Sequence, residues 1–257
     1  MIFMRTVYLC NDTITDIYSA LYQAWLYNRD GDTGIEFHNY TSPQLFTDYV
    51  VVEKNHQQAL KLEDFIKKNL GMQSYGDIYY ALLANDPYKA EAVFKAMQES
   101  RKIANSKKIM EHLTNPAVAT VAQLSKRVGN EAHLYSGFVR FRELENGIMF
   151  AEISPNNQIL TCIGDYFAER FPEENWMIYD KTHNSYLVHQ KQQKWIIIAG
   201  LDIDHKQFDN VTVEEDECAR LWQLFHTTIS IKERENPKLQ QGNLPVRFRG
   251  NMLEFRI

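Results

Sequence analysis

The chain has 257 residues, of which 44% are apolar and 12% aromatic, and its formal net charge is −5 at pH 7. This composition is that of a globular protein with a real core, and it excludes a disordered or low-complexity chain. The longest apolar run, residues 195–201, is far shorter than a membrane span, and the first residues lack the apolar segment of a signal peptide. We therefore expect a cytoplasmic protein.

The first hundred residues alternate strand and helix patterns. Short apolar runs predict strands at residues 6–10 and 48–53, and the second is continuous in apolar character, so we expect it to be buried on both faces. Residues 28–43, with their Asp, Gly and Thr pairs, predict a loop. Apolar residues at helical spacing predict helices over residues 14–25, 56–70, 77–84 and 86–101. Gly71 is expected to stop the second of these helices.

A basic helix is predicted next. Asn115 can cap its N-terminus, and Pro116 fits the first helical position. Its buried face is a stripe of apolar residues three or four positions apart: Ala117, Val121, Leu124, Val128 and Ala132. Lys126 and His133 fall on the opposite side, with Arg127 on its flank. These side chains should meet solvent or a partner.

An arginine-bearing strand is predicted after this helix. Gly137 permits the turn out of the helix, and residues 138–143 alternate so that Arg140 and Arg142 share one face. Their guanidinium groups could bind successive phosphates or stack on unpaired bases. The alternative is a cross-strand pair of Arg140 with Glu152 and a solvated Arg142. Lys126 and Arg127 also have an alternative interpretation, in which they belong to an ordinary solvated helix face. In that case Arg127 would form an ion pair with Glu131, four residues further along the helix.

The turn signal Glu-Asn-Gly at residues 145–147 predicts a hairpin. A three-residue loop with Gly147 in the left-handed region pairs Phe141 with Ala151. This register keeps the apolar side chains of both strands on one face.

The rest of the chain predicts a sheet and an arm. A helix at residues 159–170 and strands at 176–179, 185–189 and 195–198 complete an antiparallel sheet of about five strands with one crossing helix. Another helix is predicted from Glu214. Prolines and glycines after residue 236 predict an extended C-terminal arm. The fold class is α+β.

Two parts of the chain are expected. Residues 1–104 should form a mostly helical α/β half, and the polar, basic stretch 105–108 marks the boundary. Residues 105–257 should hold the basic helix, the antiparallel sheet and the arm, and both parts could form one compact unit.

Metal and redox chemistry find little support in the sequence. The cysteines Cys10, Cys162 and Cys218 are scattered, which argues against a disulfide framework, a zinc knuckle or an iron–sulfur cluster. Residues 202–205, Asp-Ile-Asp-His, bring donor atoms close together, but in a strand the histidine faces away from both aspartates. We predict neither a metal site nor a cofactor.

Charge is distributed unevenly. Residues 101–143 carry eight lysines and arginines and only three acidic residues, although the whole chain is acidic. A positive zone in an acidic protein is the asymmetry that a polyanion would use.

Several motifs stand out in the same region and beyond it. They are Val-Gly-Asn-Glu-Ala-His at residues 128–133, Gly-Phe-Val-Arg-Phe at 137–141, Phe-Ala-Glu-Arg-Phe-Pro at 167–172, Trp-Met-Ile-Tyr-Asp at 176–180 and Asn-Pro-Lys-Leu-Gln at 236–240. Over nearly its whole length the chain resembles a bacterial family labelled "probable DNA metabolism protein". The resemblance implies a genomic neighbour that is a radical S-adenosylmethionine protein assigned to DNA repair, and some members are fused to a uracil-DNA-glycosylase-like domain. It implies no particular catalytic residue.

The leading hypothesis is a nucleic-acid-binding accessory protein in DNA repair or modification that works with this radical enzyme. The residues expected to contact phosphates are Lys126, Arg127, His133, Arg140, Arg142, Lys238, Arg247 and Arg249. One alternative is a protein–protein adaptor without DNA contact. Another is an enzyme that uses His133 with Glu131 as acid–base groups, although the two lie about 200° apart around a helix.

Overall fold

The computed structural model describes residues 5–28, 31–41, 43–200, 212, 215, 217–222, 224, 236–250, 252 and 255. The chain divides into two compact units, Met1–Gly129 and Asn130–Ile257. Residues 105–108, where the sequence predicts a boundary, lie inside the first unit. The structure contains both helices and strands, which confirms the predicted α+β class.

The first unit contains a parallel sheet of three strands in the order β2-β1-β3. The strands are β1 (Arg5–Cys10), β2 (Thr33–Phe37) and β3 (Thr47–Val51). The prediction of a loop over residues 28–43 was wrong, because β2 lies there and pairs with β1. The strand predicted at residues 48–53 was expected to be buried on both faces, and this was also wrong. It corresponds to β3, which is an edge strand, and Val51 is 65% exposed. Its apolar run reflects β propensity rather than a position inside the sheet.

Helices cover this sheet. They are α1 (Ile14–Asn28), α2 (His56–Leu82) and α3 (Lys89–Ser100), followed by a short 3-10 helix (Ser106–Glu111). The predicted stop at Gly71 is a kink within α2, where the backbone has φ 85° and ψ 162°. The 3-10 helix is tied to α2, because the Ser106 hydroxyl donates to the Asn69 carbonyl at 2.7 Å.

The basic helix is α4 (Pro116–Phe138). Its N-cap is confirmed, because the Asn115 side-chain oxygen accepts the backbone N–H groups of Ala117 and Val118 at 2.9 and 3.3 Å. The predicted apolar stripe is buried from Val121 onward. The predicted turn at Gly137 was wrong, because the helix continues through it. Among the described residues, no helix is long and apolar enough to span a bilayer.

The second unit contains a five-stranded sheet in the order β4-β5-β6-β7-β8. Its elements are β4 (Arg142–Glu143), β5 (Met149–Ile153), α5 (Leu160–Arg170), β6 (Trp176–Asp180), β7 (Ser185–His189) and β8 (Ile196–Ala199). The sheet is mixed rather than antiparallel as predicted, because β5 and β6 are parallel. The physical reason is α5, which connects these two strands and carries the chain back to the end of the sheet from which it came.

The hairpin register agrees with the prediction. Arg142 lies opposite Phe150 and Glu143 opposite Met149, which is the ladder that pairs Phe141 with Ala151 when it is extended. Gly147 has φ 76°, in the left-handed region. The ladder is shorter than expected, because β4 has only two residues.

Aromatic side chains fill both faces of this sheet. On one face Phe150 packs with Tyr179 and Tyr186. On the other face Trp176 meets Phe167 of α5, with their ring centroids 6.2 Å apart. These contacts hold α5 on the sheet.

The C-terminal part is helical where it is described. Two short helices, α6 (Pro237–Asn243) and α7 (Val246–Arg249), replace the predicted extended arm. Pro237 occupies a first-turn position that needs no N–H, so it starts α6 instead of preventing it. Residues 215, 217–222 and 224 are helical, in agreement with the helix predicted from Glu214. Residues 202–205 lie outside the described residues.

Candidate nucleic-acid interface

The exposed side of α4 presents Lys126, Asn130 and His133 to solvent, as the helical spacing predicts. Within the described ranges, neither Lys126 nor His133 has a hydrogen-bond or ion-pair partner. Lys126 belongs to the first unit and His133 to the second. Both side chains are therefore available to a ligand.

Arg127 is held within the first unit. Its guanidinium lies 3.7 Å from the Asp86 carboxylate and donates to the Asn85 carbonyl at 3.3 Å. The expected partner, Glu131, is buried on another side of α4. The charge of Arg127 is thus already compensated by a carboxylate.

Arg140 and Arg142 do not form the pair of forks on one strand that the sequence predicts. Arg140 precedes β4, and its Nη1 donates to the carbonyls of Gly137 and Val139 at 2.9 and 3.3 Å, at the C-terminal end of α4. Arg142 lies in β4, 5.4 Å above the ring of Phe150. The carboxylate of Glu152, the expected cross-strand neighbour of Arg140, lies 3.6 Å from Lys181.

The C-terminal helices carry the other three predicted residues. Lys238 is exposed on α6. Arg247 on α7 approaches Glu131, with 3.3 Å between Nη1 and Oε1. Arg249 donates twice to the Leu244 carbonyl, at 3.0 and 3.2 Å. A carbonyl fixes a guanidinium group without neutralising it, so Arg249 keeps its full charge.

Glu131, the alternative partner of Arg127 in the sequence prediction, is instead a buried residue that organises the contacts of this part of α4. It is only 3% exposed, and its carboxylate accepts the backbone N–H groups of Asn156 and Asn157 at 3.0 and 2.9 Å. The Asn157 side chain adds a third hydrogen bond at 2.6 Å. The sequence could have predicted this burial. Glu131 lies three residues after Val128 and four before Tyr135, and this spacing puts it on the buried side of the helix.

The acid–base hypothesis requires Glu131 and His133 to act together, but the two side chains lie in different surroundings. Glu131 is buried and His133 is exposed. This is the separation expected for residues two positions apart on an unbroken helix. A shared proton-transfer site between them is not formed.

Two other polar clusters make their hydrogen bonds and ion pairs with groups of the protein itself. The buried Asp180 accepts the backbone N–H groups of Thr182 and His183 and lies 2.6 Å from Nδ1 of His183. In the first unit, the Lys89 ammonium is fully buried, 2.6 Å from Asp12. Burial lowers the pKa of Lys89, against the opposing effect of Asp12.

Taken together, the geometry defines an α+β protein in which most of the described arginines are anchored by its own carbonyls, rings and carboxylates. A family model describing a domain of unknown function, DUF4130, matches residues 87–254, which is more than half of the chain. The chain therefore belongs to the DUF4130 family. No curated protein matches it.

Proposed function

We propose that this protein is a nucleic-acid-binding accessory protein in DNA repair or modification and that it works with a radical S-adenosylmethionine enzyme. The contact residues we assign in the second unit are Arg142 and Arg249, which have no carboxylate partner among the described residues, supported by the exposed His133 and Lys238. The exposed Lys126, which belongs to the first unit, is assigned separately. The family resemblance supports the DNA pathway and the partner.

The proposal rests on one observation, namely which groups the guanidinium groups of two arginines contact. Arg142 contacts the ring of Phe150, and Arg249 the carbonyl of Leu244 and the ring of Phe255, 4.9 Å away. Neither guanidinium has a carboxylate partner in the described part of the chain. Contacts of this kind restrict the side chain while its charge stays available, which lowers the entropy cost of binding a phosphate.

The experiment is fluorescence anisotropy with labelled single- and double-stranded oligonucleotides across a salt series. Each phosphate contact that is lost should reduce the slope of log K against log salt concentration by about one. We expect Arg142→Ala and Arg249→Ala to weaken binding at low salt and to flatten this slope. Adding the radical enzyme tests whether it binds the same complex.

The matched control is Arg127→Ala. It removes the same charge from the chain, but from a guanidinium already paired with Asp86, so a much smaller effect on affinity is expected. Equal losses in all three variants would show only a general field effect and would overturn the assignment of contacts. An absence of binding by the intact chain at low salt would overturn the proposed function itself.

A further inference from the structure

The outer strand of the second sheet is β8, and no other strand of the described part of the chain pairs with its outer edge. The backbone N–H of Gly200 donates to the carbonyl of Asn184 at 3.2 Å, and these residues lie directly opposite each other when the β7–β8 ladder is extended. Backbone groups alternate in direction along an antiparallel strand, so Ile196 and Ile198 also bond towards β7. The N–H and C=O groups of Ile197 and Ala199 therefore point away from the sheet.

This edge is apolar, in addition to having no paired strand among the residues that the structure describes. Ile196 is 56% exposed and Ile197 39% exposed. Residues 195–200 read Trp-Ile-Ile-Ile-Ala-Gly and contain neither a charge nor a proline. Edge strands of monomeric proteins are normally protected by such residues. The edge strand β3 of the first sheet has such a residue, because Asp48, its second residue, is exposed.

The strand is also held firmly in place. The indole Nε1 of Trp195 donates to the Asp165 carboxylate of α5 at 2.7 Å. Its ring lies so close to Gly164 that a Cβ atom there would approach a ring carbon to 2.6 Å. The edge is therefore presented in a fixed, extended form, ready to pair with another strand.

We propose that β8 is a homodimerisation edge, at which two copies of the chain pair antiparallel and join their sheets into one of ten strands. The occupant must be an extended strand, because the unpaired groups are backbone donors and acceptors. A second copy fits, because the edge meets itself without a like-charge contact. In the register centred on Ile197, Ile197 lies opposite its own copy and Ile196 lies opposite Ile198 of the partner.

The first test is the mass of the intact chain in solution by light scattering, over a concentration series. We expect twice the mass of one chain. Ile197→Lys should reduce it to the mass of one chain, because two ammonium groups would face each other across the two-fold axis. Val51→Lys, the same type of change on the β3 edge, is the control and should leave the dimer intact. Thermal unfolding of both variants shows whether they fold.

A second test addresses the register. In a chain carrying Cys218→Ser, Ile197→Cys should form a disulfide-linked dimer on oxidation, because directly opposed residues of a hydrogen-bonded pair have Cα atoms about 5.5 Å apart. Ala199→Cys should not, because it would face Trp195 of the partner. A single-chain mass for the unmodified protein at every concentration, or a dimer that Val51→Lys alone abolishes, would overturn the proposal.

Discussion

At the scale of single residues, Glu131 connects the last turns of α4, within the second unit, with the loop that follows β5. Four hydrogen-bond or ion-pair donors meet one buried carboxylate: two backbone N–H groups, the amide of Asn157 and the guanidinium of Arg247. A buried carboxylate is tolerated only with this degree of pairing. Its role is therefore positional rather than chemical.

We expect Glu131→Ala to lower the free energy of unfolding by about 3 kcal/mol, since it leaves buried donors without an acceptor. Glu131→Gln keeps one acceptor oxygen and should cost about 1 kcal/mol. Urea unfolding measures both values. Glu145→Ala, in the exposed hairpin turn, is the control and should have almost no effect. A loss from Glu131→Ala no larger than that of the control would contradict this role.

At the scale of elements, two glycines of α2 have opposite roles. Gly71 lies at the kink, at φ 85° and ψ 162°, a region open almost only to glycine. Gly76 has an ordinary helical conformation, and a Cβ atom there would meet nothing within 4 Å. The first glycine shapes the helix, and the second only weakens it.

Gly71→Ala should therefore destabilise the chain by about 1–3 kcal/mol because of backbone strain, since the nearest atom to an added Cβ is the flexible Lys107 side chain at 3.7 Å. Gly76→Ala should stabilise it by about 0.5–1 kcal/mol, because alanine loses less backbone entropy in a helix. Thermal or urea unfolding of the two variants measures both changes in stability. Equal effects of the same sign would refute the kink as a glycine-dependent feature.

At the scale of the whole molecule, stability should fall in alkaline solution. Burial raises the pKa of Cys10 from 9.0 to about 12, and burial also raises the pKa values of Tyr18, Tyr75 and Tyr135. Between pH 9 and 12 the unfolded chain has released protons that the native chain still holds. Because the unfolded state then binds fewer protons, the free energy of unfolding decreases as pH rises.

Urea unfolding at several pH values above 8 tests this expectation. Cys10→Ala should make the decline shallower, by at most about 1.4 kcal/mol per pH unit for the one proton removed. Cys218→Ala removes an exposed thiol and should leave the slope unchanged. If both variants have the slope of the unmodified chain, the buried thiol does not contribute to the decline.

The local features of this protein were determined by its sequence. The Asn115 cap, the buried stripe of α4, the kink at Gly71 and the hairpin register follow from residue types and spacing over a few positions. Such features depend on backbone sterics and on hydrogen bonds within one or two turns. The exposure of Lys126 and His133 belongs to the same class, because helical periodicity alone decides it.

Only the tertiary structure decided how distant segments meet. The parallel pairing of β5 with β6, the edge position of β3 and the burial of Glu131 depend on which elements pack together. The partners of Arg127 and Arg247 likewise come from other parts of the chain: Asp86 in the loop before α3, and Glu131 in α4. Spacing along the chain fixes the direction of a side chain on its own helix or strand, but the neighbour that it meets is set by the packing of the whole unit.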